Sequence, residues 1–131
     1  MRLSVSLDVP SLERGTDFYG RAFGFAVIAR PLPMLAGIEA GEARILLIEK
    51  AEGSAPYPGA TETRRYERHW TPVHLDFHVP DAAAARDRAE AAGARCEAWH
   101  DNPGHPRAAF MADPFGHGFC LIEDRVRKGT P

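Results

Sequence analysis

The sequence predicts an α+β fold in which the order β-α-β-β-β occurs twice. Two observations support this prediction: a pair of alternating strands that both end in Val-Pro, and a helix pattern directly after each strand. Residues 3–10 read LSVSLDVP and residues 73–80 read VHLDFHVP. Alternate positions share one face of a strand, and here they are apolar: Leu3, Val5, Leu7 and Val9, then Val73, Leu75, Phe77 and Val79. Such self-similarity indicates two copies of one supersecondary unit.

Each predicted helix has a start and a stop signal. Ser11 and Asp81 are candidate N-caps, because their side-chain oxygens can accept hydrogen bonds from the first free backbone N–H groups. Gly24 and Gly93 follow the helix patterns and suit a left-handed C-terminal cap. We expect further strands around residues 25–30, 34–40 and 43–49, and around 94–99, 107–112 and 117–123. The two predicted modules thus span about residues 1–50 and 72–124.

Length and composition predict one domain over residues 1–131, of which 44% are hydrophobic. The net charge of -2 comes from scattered acids and bases, which argues against nucleic acid and membrane partners. The sequence shows neither a signal peptide nor the ~20 apolar residues of a membrane span. The two cysteines lie in separate strand patterns, so a disulfide framework is not expected and a cytoplasmic location is.

A segment without periodicity, about residues 51–71, joins the predicted modules. It is long for a connection, and long ordered loops often act as lids. Two interpretations therefore stay open: a plain linker, or a lid loop that brings Tyr66, His69 and Trp70 over a binding site.

Several segments carry a family resemblance. DFYGRAFGF at 17–25, HLDFHVPD at 74–81 and AAGA at 91–94 precede ADPFGHGFCL at 112–121. Together they resemble the glyoxalase / bleomycin-resistance / dioxygenase (vicinal oxygen chelate) superfamily, and in particular its glyoxalase-like subfamily ending in DPxGHxFCL. The resemblance implies paired modules that form a curved mixed sheet around a central cavity for a small molecule, with the helices outside. It also implies a homodimer.

The strand alternation predicts a polar face opposite the apolar one, and the resemblance implies that this face lines the cavity. The residues expected there are Arg2, Ser4, Ser6, Asp8 and Leu46 in the first module, and Asp76, His78, Gly118, Cys120 and Ile122 beside His74 in the second.

Metal-dependent members of the superfamily take one ligand from each of four strands, and the resemblance carries these places onto His74, Ser4, Cys120 and a position at or beside Leu46. Only His74 matches well. Leucine offers no donor and a neutral serine is a poor one, so no cofactor is expected. The alternative is a divalent metal (Zn, Ni, Mn or Fe), with His74 and Cys120 as the best ligand candidates and Asp76 or His69 beside them.

Three residues have two interpretations each. His74 is either a catalytic general base near Asp76 or a hydrogen-bonded pocket histidine. Cys120 is either a small buried apolar residue or a thiolate activated by a nearby cation. Glu49, which closes the ILLIE strand, is either a substitute carboxylate ligand for a metal or a residue outside the site. Because it shares a face with Ile45 and Leu47, we expect it to lie away from the metal position unless a bulge changes the alternation.

The leading functional hypothesis is a small-molecule-binding protein that holds a planar or cationic molecule without chemistry. Trp70 and Tyr66 would stack on it, and Asp8 and Asp76 would meet a positive charge. Two alternatives stay open: an enzyme, either a metal-dependent lyase or dioxygenase with an atypical ligand set or a metal-free isomerase using His74, and a dimeric scaffold with a vestigial pocket. No nucleophile elbow or Cys-x-x-Cys pair is present, which leaves hydrolysis and thiol exchange unsupported.

Overall fold

The computed structural model describes residues 1–124, and within them the βαβββ order occurs twice, as predicted. The first module comprises β1 (Val5–Val9), α1 (Leu12–Phe23), β2 (Ala26–Leu32), β3 (Leu35–Ala40) and β4 (Ala43–Glu49). The second comprises β5 (Leu75–Val79), α2 (Ala82–Ala92), β6 (Arg95–His100), β7 (Ala108–Ala112) and β8 (Gly118–Glu123). No helix among residues 1–124 is long and apolar enough to cross a membrane.

Each module forms its own four-stranded mixed sheet with one helix, so the α+β prediction is confirmed. The strand orders are β1-β4-β3-β2 and β5-β8-β7-β6. The first strand pairs with the last in parallel, and the other neighbours are antiparallel. The chain divides into two compact units, Met1–Glu67 and the part from Arg68 onward. The division falls inside the predicted connecting segment, so most of that segment belongs to the first unit.

The repeat extends to the register of the parallel strands. In the first unit Ser6 lies opposite Leu46, and in the second Asp76 lies opposite Cys120. Each parallel ladder starts four residues before the last residue of its first strand, at Val5 in the first module and at Leu75 in the second. The register of one module therefore identifies the equivalent position in the other.

The strands begin two residues later than the alternation predicted. Leu3 and Val73 are 87% and 79% exposed and do not pack beneath a helix. In both modules the parallel ladder to the last strand begins at this later residue, Val5 or Leu75.

The two helices bury different side chains against their sheets. On α1, Phe18 and Tyr19 are buried with their rings edge to face, 4.9 Å apart between centroids. On α2 the buried residues are Ala82 and Ala89. The first helix thus contributes two aromatic rings to the core, whereas the second contributes alanines, and the larger buried side chains of the second unit, Met111, Phe119 and Leu121, lie on its sheet.

A glutamate at the end of each parallel pair holds the following helix. Glu49 Oε1 accepts a hydrogen bond from the Leu12 N–H at 3.0 Å, and Glu123 Oε2 accepts one from the Ala82 N–H at 2.9 Å. Ser11 and Asp81 act as the N-caps that the sequence predicted. A carboxylate beside the positive end of a helix dipole is stabilising, so Glu49 has a structural role.

Replacing Glu49 by alanine should lower the free energy of unfolding by about 1–2 kcal/mol, because the Leu12 N–H loses a charged acceptor in a part-buried place. Urea unfolding measures the change. Glu42→Ala, in the exposed turn between β3 and β4, is the matched control and should stay within about 0.5 kcal/mol of the wild type. Equal effects of the two substitutions would contradict the proposed role of Glu49.

Candidate functional site

The second unit contains a cavity of about 530 Å³ on the face of its sheet. That volume is typical of sites for small molecules. Aromatic and aliphatic side chains form most of the wall: Trp70, Pro106, Phe110, Met111, Phe119 and Ile122. The polar part consists of Arg68, Thr71, His74, Asp76, Glu97, His105 and Cys120.

Three polar groups meet where β5 and β8 run side by side. His74 Nδ1 lies 3.1 Å from Asp76 Oδ1 and 3.8 Å from Cys120 Sγ. One ligand atom from each of the three lies within 4.8 Å of the other two. The parallel register brings them together, since Asp76 is directly opposite Cys120 and His74 stands just before β5.

Cys120 is a neutral thiol in this setting. Burial raises its pKa to about 11, and the negative charge of Asp76 and a hydrogen bond to that carboxylate act in the same direction. A nucleophilic or redox-active cysteine needs the opposite, a lowered pKa beside a positive charge. The environment thus favours the unreactive interpretation of Cys120.

Arg68 and Glu97 form an ion pair in the cavity wall that the sequence analysis did not single out. Arg68 Nε lies 2.9 Å from Glu97 Oε2, and Nη2 lies 3.0 Å from Oε1. Both side chains are mostly buried, and the hydrogen bond from Arg68 holds the pKa of Glu97 below its usual range. Glu97 lies at a register shift in β6, and a bulge of this kind changes the direction in which the side chain points.

Gly118 makes room for this ion pair. A Cβ on Gly118 would lie 2.6 Å from Arg68 Nη2, so the guanidinium rests directly on the backbone of β8. A glycine inside a strand often marks a close approach of this kind. A glycine at position 118 is therefore the feature of the sequence that could have indicated a closely packed side chain such as that of Arg68.

The remaining predicted cavity residues of the second module fall in different places. Gly118, Cys120 and Ile122 stand on the cavity wall together with Asp76 and His74. His78 is not among the lining residues, and its Nδ1 lies 3.2 Å from Asp124 Oδ1 instead. Although it shares a strand face with Asp76, it is farther along the strand, where β5 ends.

The three residues predicted to form a lid lie in different surroundings. Trp70 lines the cavity and is 79% exposed. The Tyr66 hydroxyl donates a hydrogen bond to the Lys50 carbonyl at 2.6 Å within the first unit, and burial raises the pKa of Tyr66. His69 is not a lining residue, and its carbonyl accepts a hydrogen bond from Arg68.

The five residues predicted to line the cavity from the first module belong to the first unit: Arg2, Ser4, Ser6, Asp8 and Leu46. Arg2 and Ser4 are exposed and precede β1. Asp8 Oδ2 accepts a hydrogen bond from Arg64 Nε at 2.7 Å, so its charge is already paired.

The two registers test whether the four-ligand centre of metal-dependent relatives fits this chain. Ser6 and Leu46 occupy the places that Asp76 and Cys120 occupy in the second module, and Ser4 stands where His74 stands. A leucine and two neutral hydroxyls do not provide ligands for a divalent ion. The four-ligand oxygen and nitrogen set therefore does not fit.

Comparisons of the sequence with a family model and of the fold with solved structures give consistent results. The family pattern described as "Glyoxalase-like domain" matches residues 4–122. This chain belongs to the glyoxalase-like domain family. The glyoxalase-like protein shares the fold of solved structures from the glyoxalase / bleomycin-resistance / dioxygenase superfamily, as the resemblance predicted. No curated protein matches it in sequence.

Three solved structures illustrate the likeness. The genomically encoded fosfomycin resistance protein FosX from Listeria monocytogenes is 17% identical, with a TM-score of 0.72 over 96% of this chain and 94% of its own. Lactoylglutathione lyase from Agrobacterium tumefaciens is 19% identical, with a TM-score of 0.66 over 98% and 96%. A glyoxalase/bleomycin resistance protein/dioxygenase family enzyme from Burkholderia phytofirmans is 21% identical, with a TM-score of 0.69 over 92% and 95%. At these identities the likeness concerns the fold.

Gly118→Ala should displace Arg68 from Glu97 and cost about 1–2 kcal/mol of unfolding free energy, because a mostly buried charge-assisted pair is broken. Gly37→Ala is the matched control, since a Cβ there meets nothing closer than 3.6 Å in another strand. In an Arg68→Ala background, Gly118→Ala should cost little. A cost that persists there would show that Arg68 is not the group that Gly118 accommodates.

Proposed function

We propose that this glyoxalase-like protein binds a small planar molecule in the cavity of its second unit, without the four-ligand metal centre of its metal-dependent relatives. The observation that carries the proposal is the cavity itself: about 530 Å³, walled mainly by aromatic and aliphatic side chains, with its polar groups gathered at few places. Pockets of this size and composition hold small organic molecules by apolar contact and use a few polar groups for orientation.

Trp70 and Asp76 indicate the chemistry of the ligand. The Trp70 ring is exposed at the cavity and offers a stacking surface to a ligand. The Asp76 carboxylate is half-exposed beside a neutral thiol and a histidine. A planar ligand that carries a positively charged nitrogen would satisfy both groups. Asp8 is less suited to that role than predicted, because Arg64 already pairs with it.

Proflavine, a planar aromatic cation, should raise the melting temperature of the protein, because a ligand that binds only the folded state stabilises it by mass action. Trp70→Ala should weaken binding by about tenfold, the loss of roughly 1.4 kcal/mol of stacking. Tyr57→Ala, at an exposed aromatic outside the cavity wall, is the matched control and should leave binding unchanged. Asp76→Asn should weaken the binding of proflavine more than the binding of a neutral ring system of the same size. Fluorescence titration and thermal melting measure both effects.

A metal-dependent lyase or dioxygenase is the rival function, favoured by the proximity of His74, Asp76 and Cys120. Nitrogen, oxygen and sulfur donors suit Zn²⁺ better than the harder ions, provided that Cys120 loses its proton. Elemental analysis after dialysis against zinc, nickel, manganese and iron(II) separates the two functions. The binding proposal expects no stoichiometric metal. About one ion per chain, lost in His74→Ala, would overturn it in favour of the enzyme.

We further propose a cytoplasmic homodimer. Both cysteines are free thiols, as a reducing compartment allows. The edge strand β2 exposes Val27, Ile28 and Leu32, and unpaired apolar edges tend to associate. Sedimentation should give twice the chain mass of 14.4 kDa, and Ile28→Lys should give a monomer. A wild-type monomer at high concentration would contradict the dimer. A dimer that bound neither ligand nor metal would instead support the scaffold alternative.

A further inference from the structure

We propose that His74 and Asp76 form a general-base dyad that removes a proton from carbon in a planar carbon acid held in the cavity. The inference rests on the proposed function, because the cavity must first bind such a molecule. It adds a proton-transfer activity in which neither a metal nor a nucleophilic cysteine takes part.

The contact between the two side chains determines which ring nitrogen is available. Asp76 Oδ1 lies 3.1 Å from His74 Nδ1, so the carboxylate accepts the hydrogen bond of an Nδ1–H group. In a neutral imidazole the lone pair is then on Nε2. The His74 side chain is half-exposed in the wall of the cavity, which leaves Nε2 accessible to a ligand. A carboxylate that fixes the tautomer of a histidine base is the arrangement used in catalytic triads.

Cys120 stands beside the pair and does not compete for its proton. Its sulfur is 3.8 Å from His74 Nδ1, the nitrogen whose hydrogen points to Asp76. Burial raises the pKa of Cys120 to about 11, so the proton stays on sulfur. A cysteine–histidine ion pair, in which the imidazolium cannot act as a base, does not form.

The cavity wall also holds a guanidinium, that of Arg68, which pairs with Glu97 and is kept in place by it. Arg68 rests on Gly118, and the parallel ladder that pairs Leu75 with Phe119 brings Gly118 beside His74. A planar substrate would place its acidic carbon at His74 and its electronegative end towards the N–H groups of Arg68.

The chain contains its own comparison pair. His78 Nδ1 lies 3.2 Å from Asp124 Oδ1, a contact almost identical to that of His74 with Asp76. Neither His78 nor Asp124 lines the cavity. The two histidine–aspartate pairs differ in whether they line the cavity. Only the His74–Asp76 pair should therefore remove a proton from a bound ligand.

The probe reaction is the base-promoted ring opening of 5-nitrobenzisoxazole, a planar carbon acid. His74 Nε2 would take the proton from C3, the electrons of that C–H bond would form the nitrile, and the N–O bond would break to give a phenolate. The imidazolium then returns its proton to water. One molecule yields one product, no oxidant or co-reactant is needed, and the phenolate is coloured.

The wild type should open the probe about a hundredfold faster than the same concentration of free imidazole. His74→Ala and His74→Gln should remove this advantage. Asp76→Asn should lower kcat at least tenfold with KM within about twofold, because Asp76 positions the base and does not bind the neutral probe. His78→Ala should change neither constant. Each variant must melt as the wild type does, and EDTA should have no effect.

Binding is measured separately with 5-nitroindazole, an isosteric molecule that cannot open, by thermal melting and quenching of Trp70 fluorescence. Binding of this molecule without turnover of the probe would overturn the dyad and leave the proposed function intact. Failure to bind 5-nitroindazole and proflavine alike would overturn both the dyad and the proposed function. Turnover that survives in the two His74 variants, or that EDTA abolishes, would assign the chemistry to another base or to a metal and reject the dyad.

Discussion

In each module the last strand runs parallel to the first, and the register of that pair positions both the helix and the polar side chains. Where the pair ends, Glu49 or Glu123 stands beside the last valine of the first strand and reaches the N-terminus of the next helix. Any slip of the register would break a charge-assisted hydrogen bond to a helix end. Farther back on the same ladder, the register sets Asp76 opposite Cys120. One backbone constraint therefore fixes the frame and the candidate site together.

The two modules share this frame but differ in the chemistry that it presents. Where the second module has His74, Asp76 and Cys120, the first has Ser4, Ser6 and Leu46. Neutral hydroxyl groups are weak ligands for a divalent ion, and aliphatic groups are not ligands at all. The asymmetry gathers the polar groups of the candidate site in the second module. The proposed binding, and the proton transfer inferred from it, both rest on that concentration of polar atoms.

The neutrality of Cys120 connects the site's electrostatics to its inferred chemistry. A thiol beside a carboxylate gives up its proton reluctantly, so the cavity presents an S–H group next to the imidazole of His74. The positive charge in the wall, that of Arg68, is balanced by Glu97 and kept in place by the absence of a side chain at Gly118. A site of this kind favours a flat molecule of low charge density with one polar or ionisable end.

The sequence by itself determined the α+β order of the strands and helices, the helix caps at Ser11 and Asp81, and the family. These depend on local periodicity and capping, which a short stretch of residues contains. Alternation along one strand is local as well, and it predicted a common face for Cys120 and Ile122. The tertiary structure decided what each polar group touches. Arg64 pairs with Asp8, Asp124 pairs with His78, and Arg68 pairs with Glu97 at a bulge in β6. Such pairings join residues far apart in the chain, and only the strand registers and loop paths bring them within hydrogen-bonding distance.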